Sequence, residues 1–191
     1  KPLLEVAGKQ MLGHIVGKIS EVEEIDKIFI VTNAKFADHF NNWKKNYKGK
    51  KEIIVINDNT TSDQDKLGAV GDMQFVMDKM KINDDLLVVA GDNLFEFSLN
   101  DFVDYFKKKK GNVVALYDVK DKEMAKRFGI VSVDAHDKIT DFEEKPKNPK
   151  TTLAAICCYL LPKQKLPMIK KYISTGGNKD APGHYIEWLC R

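Results

Sequence analysis

Apolar runs long enough to cross a membrane are missing from this sequence, since a spanning helix needs about 20 consecutive apolar residues. The expectation is a protein with no membrane partner, and no signal peptide is apparent. Cysteine is scarce, with only Cys157, Cys158 and Cys190 among 191 residues. An odd number without framework spacing excludes a disulfide-stapled scaffold and fits a reducing, cytoplasmic compartment. The adjacent pair Cys157-Cys158 reads as small apolar strand residues. A surplus of one charge is lacking too: 31 basic against 28 acidic side chains leave a formal net charge of +3. That near-balance argues against nucleic acid as a partner, which usually needs a concentrated basic surface. Lysines do gather at Lys44, Lys45, Lys48, Lys50 and Lys51 and again at Lys107 to Lys110, but aromatic readers are sparse around them. They read as solvated helix ends or loops. Internal repeats and low-complexity tracts are absent.

Several catalytic patterns are missing as well. Ala7-Gly8-Lys9-Gln10 lacks the first glycine of a P-loop and the Ser/Thr after its lysine. His14, His39, His136 and His184 have no metal-ligand spacing. No Ser-His-Asp or Cys-His order can be assembled.

What is present is an alternation of apolar periodicities. Met11, Leu12, Ile15, Val16, Ile19 and Val22 recur at helical steps. Lys27 to Thr32 and Glu52 to Ile56 are short β-branched runs, read as buried strands. Helical spacing returns over Ala34 to Tyr47 and over Leu67 to Met80, with the polar loop Asn57 to Lys66 before the latter. Asp85 to Ala90 is a third strand. A helix over Ser98 to Lys110, with Ser98 as N-cap, leads to a fourth strand at Asn112 to Asp118. This predicts an α/β fold, Rossmann-like, with a mostly parallel sheet and flanking helices. Beyond it, Gly129 to Val133 and Lys138 to Phe142 read as a hairpin turning at Ala135-His136-Asp137. Leu153 to Leu161 is a strand, Lys165 to Ile173 a helix, and Gly183 to Cys190 the start of another. The length suggests a single domain over residues 1–191.

Four constellations could carry chemistry. Gly91-Asp92-Asn93 ends a strand, where ligands of open α/β sheets sit. Magnesium is typically held by one or two carboxylates plus substrate phosphates, so Asp92 suffices as part of such a site; a turn aspartate without function has the same local signature. Lys1, beside Pro2, is a point charge suited to phosphate, though a lone lysine says little. Leu67-Gly68-Ala69-Val70-Gly71 puts small residues at a helix start, suited to phosphate or a polar ring edge, or simply to tight packing. Glu143-Glu144-Lys145-Pro146 ends a strand; a carboxylate beside an ammonium can bind sugar hydroxyls and phosphate together, or stand as an exposed strand end.

In this order, the pieces resemble the sugar-phosphate nucleotidyltransferase family, whose members include glucose-1-phosphate thymidylyltransferases. The resemblance rests on Lys1-Pro2-Leu3-Leu4 with the helix after it, Leu67 to Asp72, Gly91-Asp92-Asn93, and Phe128-Gly129-Ile130-Val131 followed by Glu143 to Pro146. Asp180-Ala181-Pro182-Gly183 and Ile186-Glu187-Trp188-Leu189 also look familial, without an assigned role. The resemblance implies transfer of a nucleotidyl group from a nucleoside triphosphate to a sugar 1-phosphate. Asp92 would hold Mg2+, and Lys1 would neutralise phosphate. Leu67, Gly68 and Ala69 would lie by the nucleotide. Gly129, Glu144, Lys145 and Tyr159 would contact the sugar phosphate. Cys157 stands where many relatives carry glycine. The family's glycine-rich phosphate loop and its second metal-binding aspartate would fall before Lys1 and after Arg191, and are expected in the complete protein. A cytidylyltransferase for phosphocholine, a nucleotide-sugar binding module without turnover and a generic Rossmann-like domain are the alternatives; base, sugar and homo-oligomeric state stay open.

Overall fold

The computed structural model describes residues 1–190. Its elements run β1 (Glu5–Val6), β2 (Lys9–Gln10), α1 (Met11–Ser20), β3 (Lys27–Thr32), α2 (Ala37–Lys45), β4 (Glu52–Asn57), α3 (Ala69–Met80), β5 (Leu86–Val89), α4 (Leu99–Lys109), β6 (Val113–Asp118), α5 (Lys122–Ala125), β7 (Gly129–Val133), β8 (Ile139–Glu144), β9 (Leu153–Leu161), a 3-10 turn (Lys163–Lys165), α6 (Pro167–Ser174) and α7 (Pro182–Cys190). They gather into two compact units. The first holds Lys1–Gly68, Asp72–Asn83 and Ala90–Lys110; the second holds Ala69–Gly71, Asp84–Val89 and the chain from Gly111 on.

In the first unit, β3 and β4 pair in parallel, in register from Lys27 opposite Glu52 to Thr32 opposite Asn57. A parallel pair needs a crossover, and α2 supplies it. The buried apolar residues come from the predicted stripe of α1 (Leu12, Ile15, Val16, Ile19), from Ile28 and Ile30 of β3, from Ile53 and Ile56 of β4, and from Leu99, Val103 and Phe106 of α4. Ser98 caps α4 as expected, its hydroxyl accepting from the Asp101 amide at 3.2 Å. The Lys107–Lys109 run lies in the last turn of α4, where cations complement the helix dipole. Ala7-Gly8-Lys9-Gln10, not a P-loop, turns the small β1–β2 hairpin. Ala7 and Gly8 both have positive φ (50° and 78°), which a two-residue type I′ turn requires.

In the second unit, β5 and β6 both pair with β9, each antiparallel to it. β5 and β6 thus run the same way, as the strand–helix–strand pattern predicts, but β9 has been inserted between them. The hairpin β7–β8 joins the same sheet through Ile130 opposite Ala154. The parallel expectation therefore holds for β3–β4, while the larger sheet pairs in antiparallel fashion. Periodicity fixes which residues are buried in a strand, not which neighbour a later strand comes to lie beside. Ala154, Cys158, Tyr159, Leu160 and Leu161 of β9 are buried, so the central strand is also the most apolar one. Tyr172 of α6 and Tyr185 of α7 are buried and meet at 5.3 Å between ring centroids. α5 and the β1–β2 hairpin were not foreseen, being too short to show a period.

Candidate active site

Lys1 and Asp92 come together in the first unit. The segment Lys1–Leu4 is a turn, closed by the Leu4 amide donating to the Lys1 carbonyl at 2.8 Å. It is tied to the start of α1 by the Leu12 amide donating to the Pro2 carbonyl (2.8 Å) and the Met11 amide to the Leu4 carbonyl (2.9 Å). After β5 the chain turns at Ala90–Asn93, where the Asn93 amide donates to the Ala90 carbonyl at 3.1 Å. Gly91 sits against Pro2; a Cβ there would lie 3.1 Å from the proline Cγ. This contact sets the two turns side by side and leaves Lys1 Nζ 3.9 Å from Asp92 Oδ2. The two side chains are 79% and 46% exposed, so the pair adds little to stability. Both groups remain free to turn toward a ligand, an ammonium for phosphate and a hard carboxylate for a cation.

Leu67 and Gly68 precede α3 rather than opening it, and Ala69 is its first residue. Gly68 is buried and has φ +77°, a conformation that L side chains rarely adopt. Its carbonyl accepts from the Asp72 amide at 2.8 Å, and the Val70 amide donates to the Lys179 carbonyl at 2.8 Å. The Val70 amide, one of those that sequence reasoning offered to a ligand, is thus already engaged within the protein.

Beside this helix start lies a pair of carboxyl groups whose interaction the sequence did not reveal. Burial and the neighbouring Asp58 push the Asp72 carboxyl up to about 6. Its Oδ1 is buried without a hydrogen-bond partner among the described residues. Asp58, in turn, accepts from the amide and hydroxyl of buried Thr60, at 2.7 and 2.8 Å. The rest of the polar loop is equally organised: amides and hydroxyls of Thr61 and Ser62 donate to Asp65. The Thr61 and Ser62 amides foremost hold that carboxyl down at about 2. The Ser62–Asp65 spacing, a hydroxyl followed three residues later by an acid, was the available signal for this turn.

The second unit carries the hairpin residues. Gly129 opens β7 directly opposite Glu144, the last residue of β8. Lys145 follows with φ +48°, an uncommon conformation for a side-chain-bearing residue, held by its amide donating to the Phe128 carbonyl at 3.0 Å. Lys145 is exposed and Glu144 half-buried. Tyr159 lies in β9 and is only 3% exposed. Burial first, then the Cys157 thiol and the charge of Glu144, raise its phenol above the usual range. Tyr159 thus feels the Glu144 charge, and its ring belongs to the sheet interior. Cys157 is half-buried and Cys158 buried.

A metal at Asp92 fits a restricted donor set. No group of three or more His, Cys, Asp or Glu side chains that could hold a metal occurs among the described residues. One exposed carboxylate suits an ion that takes its remaining ligands from phosphate and water.

An α/β fold with a cation-and-carboxylate corner at a strand end is an architecture open to phosphate ligands. The comparison with known sequences narrows this: the sequence model of the nucleotidyl transferase family matches residues 1–184, and the chain belongs to that family. The bifunctional protein GlmU of Methanocaldococcus jannaschii is 30% identical over 194 residues, covering 98% of this chain and 42% of that protein. The glucose-1-phosphate adenylyltransferase of Clostridium acetobutylicum is 37% identical over 76 residues, 39% of this chain and 20% of that protein. The chain spans less than half the length of these curated relatives. A crystal structure of UDP-glucose pyrophosphorylase with UDP-glucose superposes with a TM-score of 0.76 and 17% identity, over 100% of this chain and 78% of that one. It shares the fold.

Proposed function

We propose that this chain is the nucleotidyl-transferring part of an enzyme that makes a nucleoside-diphosphate sugar from a nucleoside triphosphate and a sugar 1-phosphate. The observation that carries this reading is the meeting of Lys1 and Asp92, 3.9 Å apart at a strand-end turn, in a chain matched by the nucleotidyl transferase family. A phosphate oxygen of the sugar 1-phosphate attacks the α-phosphorus; the new O–P bond forms as the bond to the β-phosphate oxygen breaks, and pyrophosphate leaves. Such a displacement relies on positioning and charge neutralisation more than on proton transfer.

In this reading Asp92 holds Mg2+, which when bound neutralises charge on the triphosphate. Lys1 exchanges its exposed contact with Asp92 for a phosphate oxygen. Leu67, Gly68 and Ala69 border the nucleotide; the left-handed Gly68 lets the backbone approach it closely. Gly129, Glu144 and Lys145 take the sugar phosphate, the carboxylate binding hydroxyls and the ammonium the phosphate. Tyr159 supports Glu144 from within the sheet. No helix is long and apolar enough to cross a membrane among the described residues.

The test is pyrophosphate release by the protein with Mg2+, across UTP, CTP, ATP, GTP and dTTP crossed with glucose, mannose and N-acetylglucosamine 1-phosphates. Release dependent on both substrates is expected. Asp92→Asn is expected to lower kcat by at least about a hundredfold, the scale seen when one charge-stabilising group is removed, without unfolding the protein. Undiminished Mg2+-dependent turnover in that variant would remove Asp92 from the site.

A further inference from the structure

Gly183 lies in the first turn of α7, in the Asp180-Ala181-Pro182-Gly183 segment, whose family likeness carries no assigned role. Its backbone φ is not in the left-handed region that would itself demand glycine. Glycine inside a helix costs up to about 1 kcal/mol relative to alanine, so local propensity disfavours it. What the position lacks is room. A Cβ at Gly183 would lie 2.3 Å from Glu144 Oε2, 3.3 Å from Glu144 Cδ and 3.2 Å from Phe142 Cζ. Across the hairpin, a Cβ at Gly129 would lie 3.0 Å from the same Oε2 and 2.5 Å from the same Phe142 Cζ. The Glu144 carboxylate is thus seated between two glycine backbones, one opposite it on β7 and one on α7. Tyr159, whose phenol feels the Glu144 charge, is a further neighbour. The lysine after Glu144 is held in its own left-handed conformation by Phe128, which fixes where β8 ends.

We propose that Gly183 is a positioning residue: by leaving its Cβ position empty, it seats the Glu144 carboxylate, and so sets how the sugar-phosphate subsite meets a hydroxyl of the sugar. The proposal rests on the reading of Glu144 as a sugar-binding group. Its physical content is specific. The atom that an alanine methyl would strike is the far end of a flexible side chain, which can swing away at little cost to the fold. Gly183→Ala therefore moves the carboxylate while sparing the helix.

The experiment is a double-mutant cycle of Gly183→Ala and Glu144→Ala, measured on the whole protein by pyrophosphate release with the sugar 1-phosphate and triphosphate that turn over in the panel above. A lost hydrogen bond to a charged group corresponds to about a tenfold effect or more. Gly183→Ala is expected to raise KM for the sugar 1-phosphate by about that factor, leaving KM for the triphosphate and the melting temperature unchanged. On the Glu144→Ala background it is expected to add nothing. A crystal structure of Gly183→Ala is expected to show the carboxylate displaced. An unmoved carboxylate, an unchanged sugar-phosphate KM, or an equal effect with and without Glu144 would each overturn the positioning role. If Glu144→Ala itself leaves the sugar-phosphate KM unchanged, the reading of the subsite fails instead, and the role of Gly183 in it fails with that reading.

Discussion

Charged groups in this chain divide by what holds them. The Lys1–Asp92 pair is exposed and loosely spaced, whereas Asp72 is partly buried next to another carboxylate. Asp72 has its carboxyl raised to about 6 from 3.8, so the folded protein binds a proton there more tightly than the unfolded chain does. Between pH 4 and pH 6 the native state therefore holds more protons, and stability falls as pH rises. The contribution is complete below the unfolded value and is gone once the pH passes the folded one. Asp72→Asn removes the ionisation. It is expected to raise the melting temperature at pH 7.5 by about 2–4 °C, equivalent to about 1 kcal/mol in a chain of this size once solvent screening is allowed for. It is also expected to flatten the pH dependence between pH 4 and 6. Thermal unfolding of both proteins across that range is the measurement; parallel curves would show that Asp72 is not the titrating group.

At the scale of elements, the sequence was legible wherever one face of an element is buried and its neighbours are local. The stripe of α1, the runs of β3 and β9 and the cap of α4 all lie where their residues predicted. Ser98 makes a direct check. Its hydroxyl satisfies one of the amides that every helix start leaves unpaired, so Ser98→Ala is expected to cost about 1 kcal/mol. The melting temperature should then drop by about 2–4 °C, while Ser98→Asp, which caps equally well, should hold it. What was not legible has a common cause. The insertion of β9 between β5 and β6, the Asp58–Asp72 pair and the seat of Glu144 between Gly129 and Gly183 all depend on partners distant in sequence. Gly183 shows this well: within α7 it looks like a helix-weakening residue, and only the end of β8 explains it. The amides at the start of α3 make the same point in reverse, because Val70 finds its acceptor at Lys179, far along the chain.

At the scale of the whole molecule, the proposed substrates draw on different sets of residues. Lys1, Leu67, Gly68 and Asp92 belong to the first compact unit, while Ala69 belongs to the second with Gly129, Glu144, Lys145 and Tyr159. Ligand binding to the native state raises its stability by an amount set by concentration over Kd, about 2.7 kcal/mol at a hundredfold excess. The two contributions should then be separable by mutation. Removing the Lys145 ammonium takes away a phosphate contact that only the sugar 1-phosphate makes in this reading. Lys145→Ala is thus expected to lose the melting-temperature rise produced by glucose 1-phosphate, or by whichever sugar 1-phosphate the protein turns over, and to keep the rise produced by triphosphate with Mg2+. Asp92→Asn is expected to do the reverse. The exposed position of both side chains makes a general loss of stability an unsuitable explanation for either result, and thermal scans without ligand check that directly. If both variants lost both responses equally, Lys145 and Asp92 would not serve separate substrates, and the separate assignment of the two side chains would have to be abandoned.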